Sequence, residues 1–254
     1  MRHPKNILIT GASSGLGAAL ALTYAAPSIR LALHGRNPDR LATIATQARV
    51  KGALVDVKNG DIRDGESLAT WLKQKDQENP FDLIIANAGI SAGTEAGTEG
   101  LTQIEAIFST NVNGVLNTIA PLLPFFLQRQ HGQIAIISSL ASFHGLRGSA
   151  AYCASKAAIR VYGEALRRQC YPFGVQINVV CPGFIQSPMT DVNRFKMPFL
   201  MSAEKAARHI QKGLLRNRPR LAFPFPLYAL IRGISIFPQS WLDKGFTYLP
   251  KKGS

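Results

Sequence analysis

The stretch Lys5-Asn6-Ile7-Leu8-Ile9-Thr10-Gly11-Ala12-Ser13-Ser14-Gly15-Leu16-Gly17 passes from an apolar, β-branched run straight into a glycine turn. The run Lys5–Thr10 predicts a strand, and the Ala- and Leu-rich stretch Leu16–Ala26 predicts a helix. Glycines between a strand and a helix permit a tight turn, let the backbone approach a pyrophosphate, and allow the helix to pack closely on the strand. The helix N-terminus adds free N–H groups and the positive end of its dipole. Gly11, Ser13, Ser14, Gly15, Leu16 and Gly17 are therefore candidate phosphate-binding residues. The spacing is GxxxGxG, not GxGxxG, and a tight turn without a ligand is the plain alternative.

Outward from this turn the pattern repeats. Ile29–His34, Ala53–Val57, Asp82–Ala86, Gln133–Ser138 and Gln176–Val180 read as strands. Helical stretches lie between them, starting at Asn37-Pro38-Asp39, over Asp64–Gln77, as one long helix over Leu101–Gln128, and over Ala150–Tyr171. Strands alternating with helices predict a doubly wound parallel sheet, a Rossmann-type α/β fold in three layers, α/β/α. Neither repeats nor a linker interrupt the 254 residues, so a single domain over 1–254 is expected. A helix over Ala203–Leu215 and a short strand near Leu221–Phe223 follow, then an atypical apolar and basic C-terminal tail over 221–254.

Composition narrows the setting. A hydrophobic fraction of 46% and a charged fraction of 17% suit a large core. Cys153, Cys170 and Cys181 offer no paired spacing, and no metal-ligating cluster stands out, so a reducing, cytoplasmic location without a metal is expected. The N-terminus carries no apolar signal core, and no uninterrupted apolar run is long enough to span a bilayer. The net charge is +14, and residues 190–254 carry twelve Lys/Arg against Asp191, Glu204 and Asp243. Such an excess favours an anionic partner: nucleotide, nucleic acid or membrane surface.

The end of the second strand discriminates between dinucleotides. A carboxylate there would bind the 2′-hydroxyl of NAD, whereas a basic residue favours the 2′-phosphate of NADP. Leu33-His34-Gly35-Arg36-Asn37 offers Arg36 and no acid, which points to NADP(H) over NAD(H). Ser13 could add a hydroxyl donor, while His34 at a strand end reads as structural.

Tyr152 and Lys156 stand at i and i+4 on one predicted helix face. A tyrosine titrates near ~10, and a neighbouring ammonium lowers that value toward the range of a general acid/base. Ser139 lies thirteen residues earlier at the end of the fifth strand, where open α/β sheets place ligand chemistry. Alone, a YxxxK pair is common and can be a surface pair.

With these pieces in order the chain resembles the short-chain dehydrogenase/reductase family, in its compact, non-extended branch. The resemblance rests on Thr10–Gly17, Asp61-Ile62, Asn87-Ala88-Gly89, Asn111, Ser138-Ser139, Tyr152 with Lys156, and Pro182-Gly183, and covers roughly residues 5–190. It implies that Tyr152 is the general acid/base, that Lys156 lowers the tyrosine pKa and holds the nicotinamide ribose, and that Ser139 orients the carbonyl oxygen. It further implies that Asn111 positions the lysine and a water relay. Asn87, Ala88 and Gly89 would line the cofactor cleft, Asp61 and Ile62 would flank the adenine, and Pro182, Gly183, Ile185 and Ser187 would meet the nicotinamide end. Hydride would pass between nicotinamide C4 and a carbonyl or alcohol carbon. A homodimer through the two long helices is also implied. Ser142 stands where glycine is frequent and is expected near the substrate mouth. Cys153 reads as a packed small residue.

The segment 190–220 is the expected substrate lid. Its surroundings hold Met189, Phe195, Met197, Phe199, Leu200 and Met201, which suggest an apolar or amphipathic small-molecule carbonyl or alcohol substrate, or else core packed under the lid. In the tail, basic residues beside Phe237, Trp241 and Phe246, with Lys251 and Lys252, suit peripheral contact with an anionic membrane; a helix packed on the domain is the alternative. A sugar-nucleotide epimerase or dehydratase would need a longer C-terminal region. A non-catalytic dinucleotide-sensing module conflicts with the intact Asn111, Ser139, Tyr152 and Lys156 set. Nucleic-acid binding finds support in charge alone, so no nucleic-acid partner is expected.

Overall fold

The computed structural model describes residues 3–91, 99–191, 196–234 and 237. Seven parallel strands form one sheet in the order β3-β2-β1-β4-β5-β6-β7. They are β1 Asn6–Thr10, β2 Arg30–Gly35, β3 Leu54–Asn59, β4 Leu83–Ala86, β5 Gln133–Ile137, β6 Gln176–Pro182 and β7 Arg220–Phe223. The central strands are continuous apolar runs because both faces are covered. Ile7 and Ile9 of β1 join one core layer with Ala135 and Ile137 of β5, while Leu8, Ile134 and Ile136 join the opposite one. Helices α1 (Gly15–Tyr24), α2 (Pro38–Val50) and α9 (Ala203–Leu215) contribute to the first layer. The second takes α3 (Gly65–Glu78) and α7 (Ala150–Cys170). The expected doubly wound, three-layer, single-domain α/β fold is therefore found.

The strand order reverses between β1 and β4, and the crevice above this switch point is where such sheets bind ligands. Caps set the helix starts around it. Asn37 accepts Arg40 N at 2.8 Å beside Pro38, Asp64 accepts Ser67 N at 3.1 Å, and Ser202 accepts Lys205 N at 3.3 Å. Ser14 gives α1 no side-chain cap, which leaves the first N–H groups of that helix open to the crevice.

The single helix expected over Leu101–Gln128 is divided. α4 (Leu101–Phe108) runs into a π-helical turn at Ser109–Asn113, then α5 (Gly114–Ile119), and α6 (Leu123–Arg129) starts afresh. Asn111-Val-Asn-Gly114 has low helix propensity, and Pro121 lies in the gap before α6 with Pro124 in that helix's first turn. The short helix α8 (Pro188–Asp191) was not anticipated in the lid, whereas α10 (Phe225–Ile234) is a helix of the tail packed on the domain, the alternative reading of that segment. α10 packs on the domain through Leu227, Tyr228 and Ile231, against Leu140, Val179 and Cys181. Phe195, Trp241, Phe246, Lys251 and Lys252 lie outside the described residues. Among the described residues no helix is long and apolar enough to cross a membrane, and no group of side chains could hold a metal ion.

Candidate active site

A cavity of about 1150 Å³ opens at the C-terminal ends of the strands. This exceeds the ~300–1,000 Å³ usual for one small ligand, so there is room for two molecules side by side. The glycine turn forms one wall. Gly11 has φ +68° and Gly15 φ +53°, conformations that L side chains rarely adopt. A Cβ on Gly11 would stand 2.8 Å from Ala88 Cα, and one on Gly17 would strike the Gly11 carbonyl. Asn87 clamps the turn: its side-chain amide donates to Thr10 O at 3.0 Å and Gly11 O at 3.3 Å. Its backbone N–H donates to Thr10 Oγ1 at 3.1 Å. The result is a backbone cradle facing the uncapped start of α1, a donor set that fits the phosphates of a dinucleotide.

Of the residues singled out for cofactor binding, Gly11, Ser13, Ser14, Gly15, Leu16, Gly17, Arg36, Ile62, Asn87, Ala88, Gly89, Pro182, Gly183, Ile185 and Ser187 all line the cavity. Asp61 is the exception. Its carboxylate turns away to Arg63, accepting from Nε at 3.0 Å and from Nη2 at 2.7 Å. That guanidinium holds the Asp61 carboxyl below its ordinary range. Sequence reasoning missed Gly35 and Arg40, which join Arg36 at the same end of the cavity. His34 lines the floor, and burial pushes its pKa down to about 4, so it is neutral at physiological pH.

Ser139, Tyr152 and Lys156 meet on the opposite wall. α7 carries both ring and ammonium, and lies close on the sheet because Gly163 has no side chain: a Cβ there would come 2.7 Å from Val179 Cγ2. The helix start is fixed by Glu99, whose carboxylate accepts Ala151 N at 2.7 Å in place of a cap from Ser149. The Ser139 hydroxyl accepts Ala141 N at 3.1 Å and hydrogen-bonds the Tyr152 side chain. Ser138 also lines the cavity, but its hydroxyl donates to Lys156 O at 2.8 Å, which leaves Ser139 as the serine bonded to the tyrosine.

Burial raises the Tyr152 pKa and the Ser139 bond opposes it; Lys156 is not among its main perturbers in this state. The ammonium instead donates to Ile137 O at 2.9 Å, and burial lowers its pKa to about 8. Asn111, fully buried in the π-helical turn, pins Ile90 from both sides: Oδ1 accepts Ile90 N at 2.8 Å, and Nδ2 donates to Ile90 O at 2.9 Å. A second Nδ2 bond reaches Ser155 Oγ at 3.0 Å. A Cβ on Gly89 would lie 3.1 Å from Asn111 Oδ1 and 3.2 Å from Lys156 Nζ, so all three converge at one spot.

Two expectations for the substrate side need correction. Ser142 is buried and does not line the cavity, because the one-turn helix Leu140–Ser142 rotates it inward. The lid residues divide: Met189 lines the cavity, Met201 packs on the core, and Phe199 and Leu200 are exposed. Cys153 is a buried residue, as expected.

The family model described as short chain dehydrogenase matches residues 5–197. An uncharacterized oxidoreductase of Myxococcus xanthus is 35% identical over 240 residues, covering 94% of this chain and 95% of that protein. The ketoacyl reductase HetN of a Nostoc species is 31% identical over 218 residues, covering 84% and 76%. Among solved structures, a short-chain dehydrogenase from Sphingobium yanoikuyae in complex with NADPH superposes with a TM-score of 0.81 at 24% identity, covering 94% of this chain and 95% of that one. A bulky-bulky ketone specific alcohol dehydrogenase from Comamonas testosteroni gives 0.80 at 23% identity, covering 96% and 95%. The chain belongs to the short-chain dehydrogenase family, and is an oxidoreductase of that family.

Proposed function

We propose that the protein is an NADP(H)-dependent oxidoreductase that interconverts a carbonyl and a secondary alcohol on an apolar or amphipathic small molecule. The observation that carries this reading is the convergence of Ser139, Tyr152 and Lys156 on the cavity whose other wall is the glycine cradle. The cradle residues Gly11–Gly17, with Asn87–Gly89 beside them, would hold the cofactor's phosphates and its nicotinamide half. Arg36 and Arg40, with no carboxylate beside them on the lining, favour a 2′-phosphate. When bound, the nicotinamide supplies a hydride to the carbonyl carbon, or accepts one from the alcohol carbon.

The chain's own residues do the rest. Because burial raises its pKa, Tyr152 is a neutral phenol near pH 7 and is ready to donate its proton to the carbonyl oxygen in reduction. Ser139, already bonded to that phenol, would present a second donor to the same oxygen and so fix the carbonyl's orientation. Lys156 keeps most of its charge below about pH 8 and stabilises the phenolate once the proton has left. Asn111 holds Ile90, and through it the loop that floors the site.

The test is NADPH consumption over a panel of apolar ketones and aldehydes, with NADH in parallel. Tyr152→Phe is expected to lower kcat by about 10²–10⁴-fold, with NADPH affinity retained. Undiminished turnover by Tyr152→Phe would remove the tyrosine from the chemistry. Tight NADPH binding without turnover of any carbonyl would favour a sensing module instead.

A further inference from the structure

We infer that the substrate carries an anionic group remote from its carbonyl, and that Arg147 recognises it at the exposed rim of the cavity; this rests on the carbonyl–alcohol reading of the same site. Among the described residues lining the cavity there is no aspartate or glutamate. The cations are distributed to two ends. Arg36 and Arg40 follow β2, whereas His144 and Arg147 lie between β5 and α7, and Lys196 follows β6. Strands β1, β4 and β5 separate β2 from β6. At ~4.8 Å per strand β2 and β5 are roughly 14 Å apart and β2 and β6 roughly 19 Å, so the second group of cations rises from a different part of the sheet than Arg36 and Arg40.

The cavity also has a hydrocarbon wall. α10 presents Leu227, Leu230, Ile231 and Ile234 to the cavity, the i, i+3, i+4, i+7 stripe of one helix face. Arg147 and its neighbour Leu146 both line the cavity and are exposed, so the guanidinium can meet an anion without being desolvated first. A ligand complementary to all three zones has a carbonyl, an apolar body lying along α10, and a carboxylate or phosphate at its far end.

The test uses the full-length protein with NADPH and two matched probes, 9-oxodecanoate and its methyl ester. Non-reacting decanoate and methyl decanoate serve for calorimetric binding. The acid is expected to show a KM at least tenfold below the ester, and decanoate to bind correspondingly tighter than its ester. Arg147→Gln should erase that preference by raising KM and Kd for the acids about tenfold, with the esters changed less than twofold and kcat kept. Arg147→Glu should reverse the order. Equal KM and Kd for acid and ester in the wild type would overturn the inference while leaving the reductase reading in place. Discrimination in binding without turnover of either oxo probe would do the opposite. Arg147-dependent binding to phosphatidylglycerol vesicles, with no preference between soluble acid and ester, would overturn it in favour of a membrane surface.

Discussion

In the proposed reading cofactor choice turns on Arg36, acting with a neighbour. Arg40, in the first turn of α2, lines the same end of the cavity, and the Asn37 cap fixes the start of that helix. Two guanidiniums on a stretch of lining that carries no carboxylate would suit a dianion, with charge-assisted bonds worth about 1.5–3 kcal/mol each. Arg36→Ala is therefore expected to raise KM for NADPH by about 10–100-fold with little change for NADH, and Arg36→Asp to invert the preference; steady-state kinetics with both cofactors decide it. Equal losses with NADH would give Arg36 a purely structural role. Arg36 was legible in the sequence because a strand end is a local landmark. Arg40 was not, since only the geometry of the helix start turns it back toward the crevice. Asp61 shows the converse: its position was readable, but the Arg63 guanidinium two residues on captures its carboxylate.

At the scale of elements, the central strands were legible because each is an apolar run bounded by turn residues, and Tyr152 with Lys156 because they share a helix face. What the sequence concealed depends on contacts between distant segments. Glu99 caps α7 across 52 positions, and no local pattern pairs them. The π-helical turn that aims Asn111 into the loop at Ile90 was likewise hidden inside what reads as one long helix. A packed helix in the tail was one of two readings, but the prolines around its apolar stretch obscured where α10 begins and ends, although its stripe is plain once the wall it completes is known. Glu99→Ala removes the acceptor at the first turn of α7, at a cost of about 0.5–2 kcal/mol in stability. Because Tyr152 sits in that turn, kcat should fall as well, whereas Glu99→Gln, which keeps an acceptor, should retain most of both. Chemical denaturation and turnover measured on the two variants check this, and equal stability of Glu99→Ala and wild type would refute the capping role.

For the molecule as a whole, Lys156 couples the site to global stability. Its folded pKa of about 8 lies below the ~10.5 of an exposed lysine. Between these values the unfolded chain binds a proton that the folded chain does not, so stability rises with pH across that window; below about 8 the full penalty of charging a buried amine applies. The difference is on the order of 3 kcal/mol. Lys156→Met should abolish activity yet flatten this rise, and unfolding of both proteins at pH 7 and pH 10 reads it directly. Parallel pH profiles would mean that the ammonium is solvated in solution. The contact of α1 with α9 operates on the same scale: Gln211 Nε2 reaches Thr23 O across 188 positions, and α9 packs into the core layer behind the glycine turn. At a synthesis rate of ~5–20 residues per second, α9 leaves the ribosome roughly 10–40 s after α1. Throughout that interval the nascent cradle has its sequence but not its backing. Cofactor can therefore reward folding only once nearly the whole chain has emerged, and a stalled product ending before α9 would be a substrate for chaperones and proteases, not a partial enzyme.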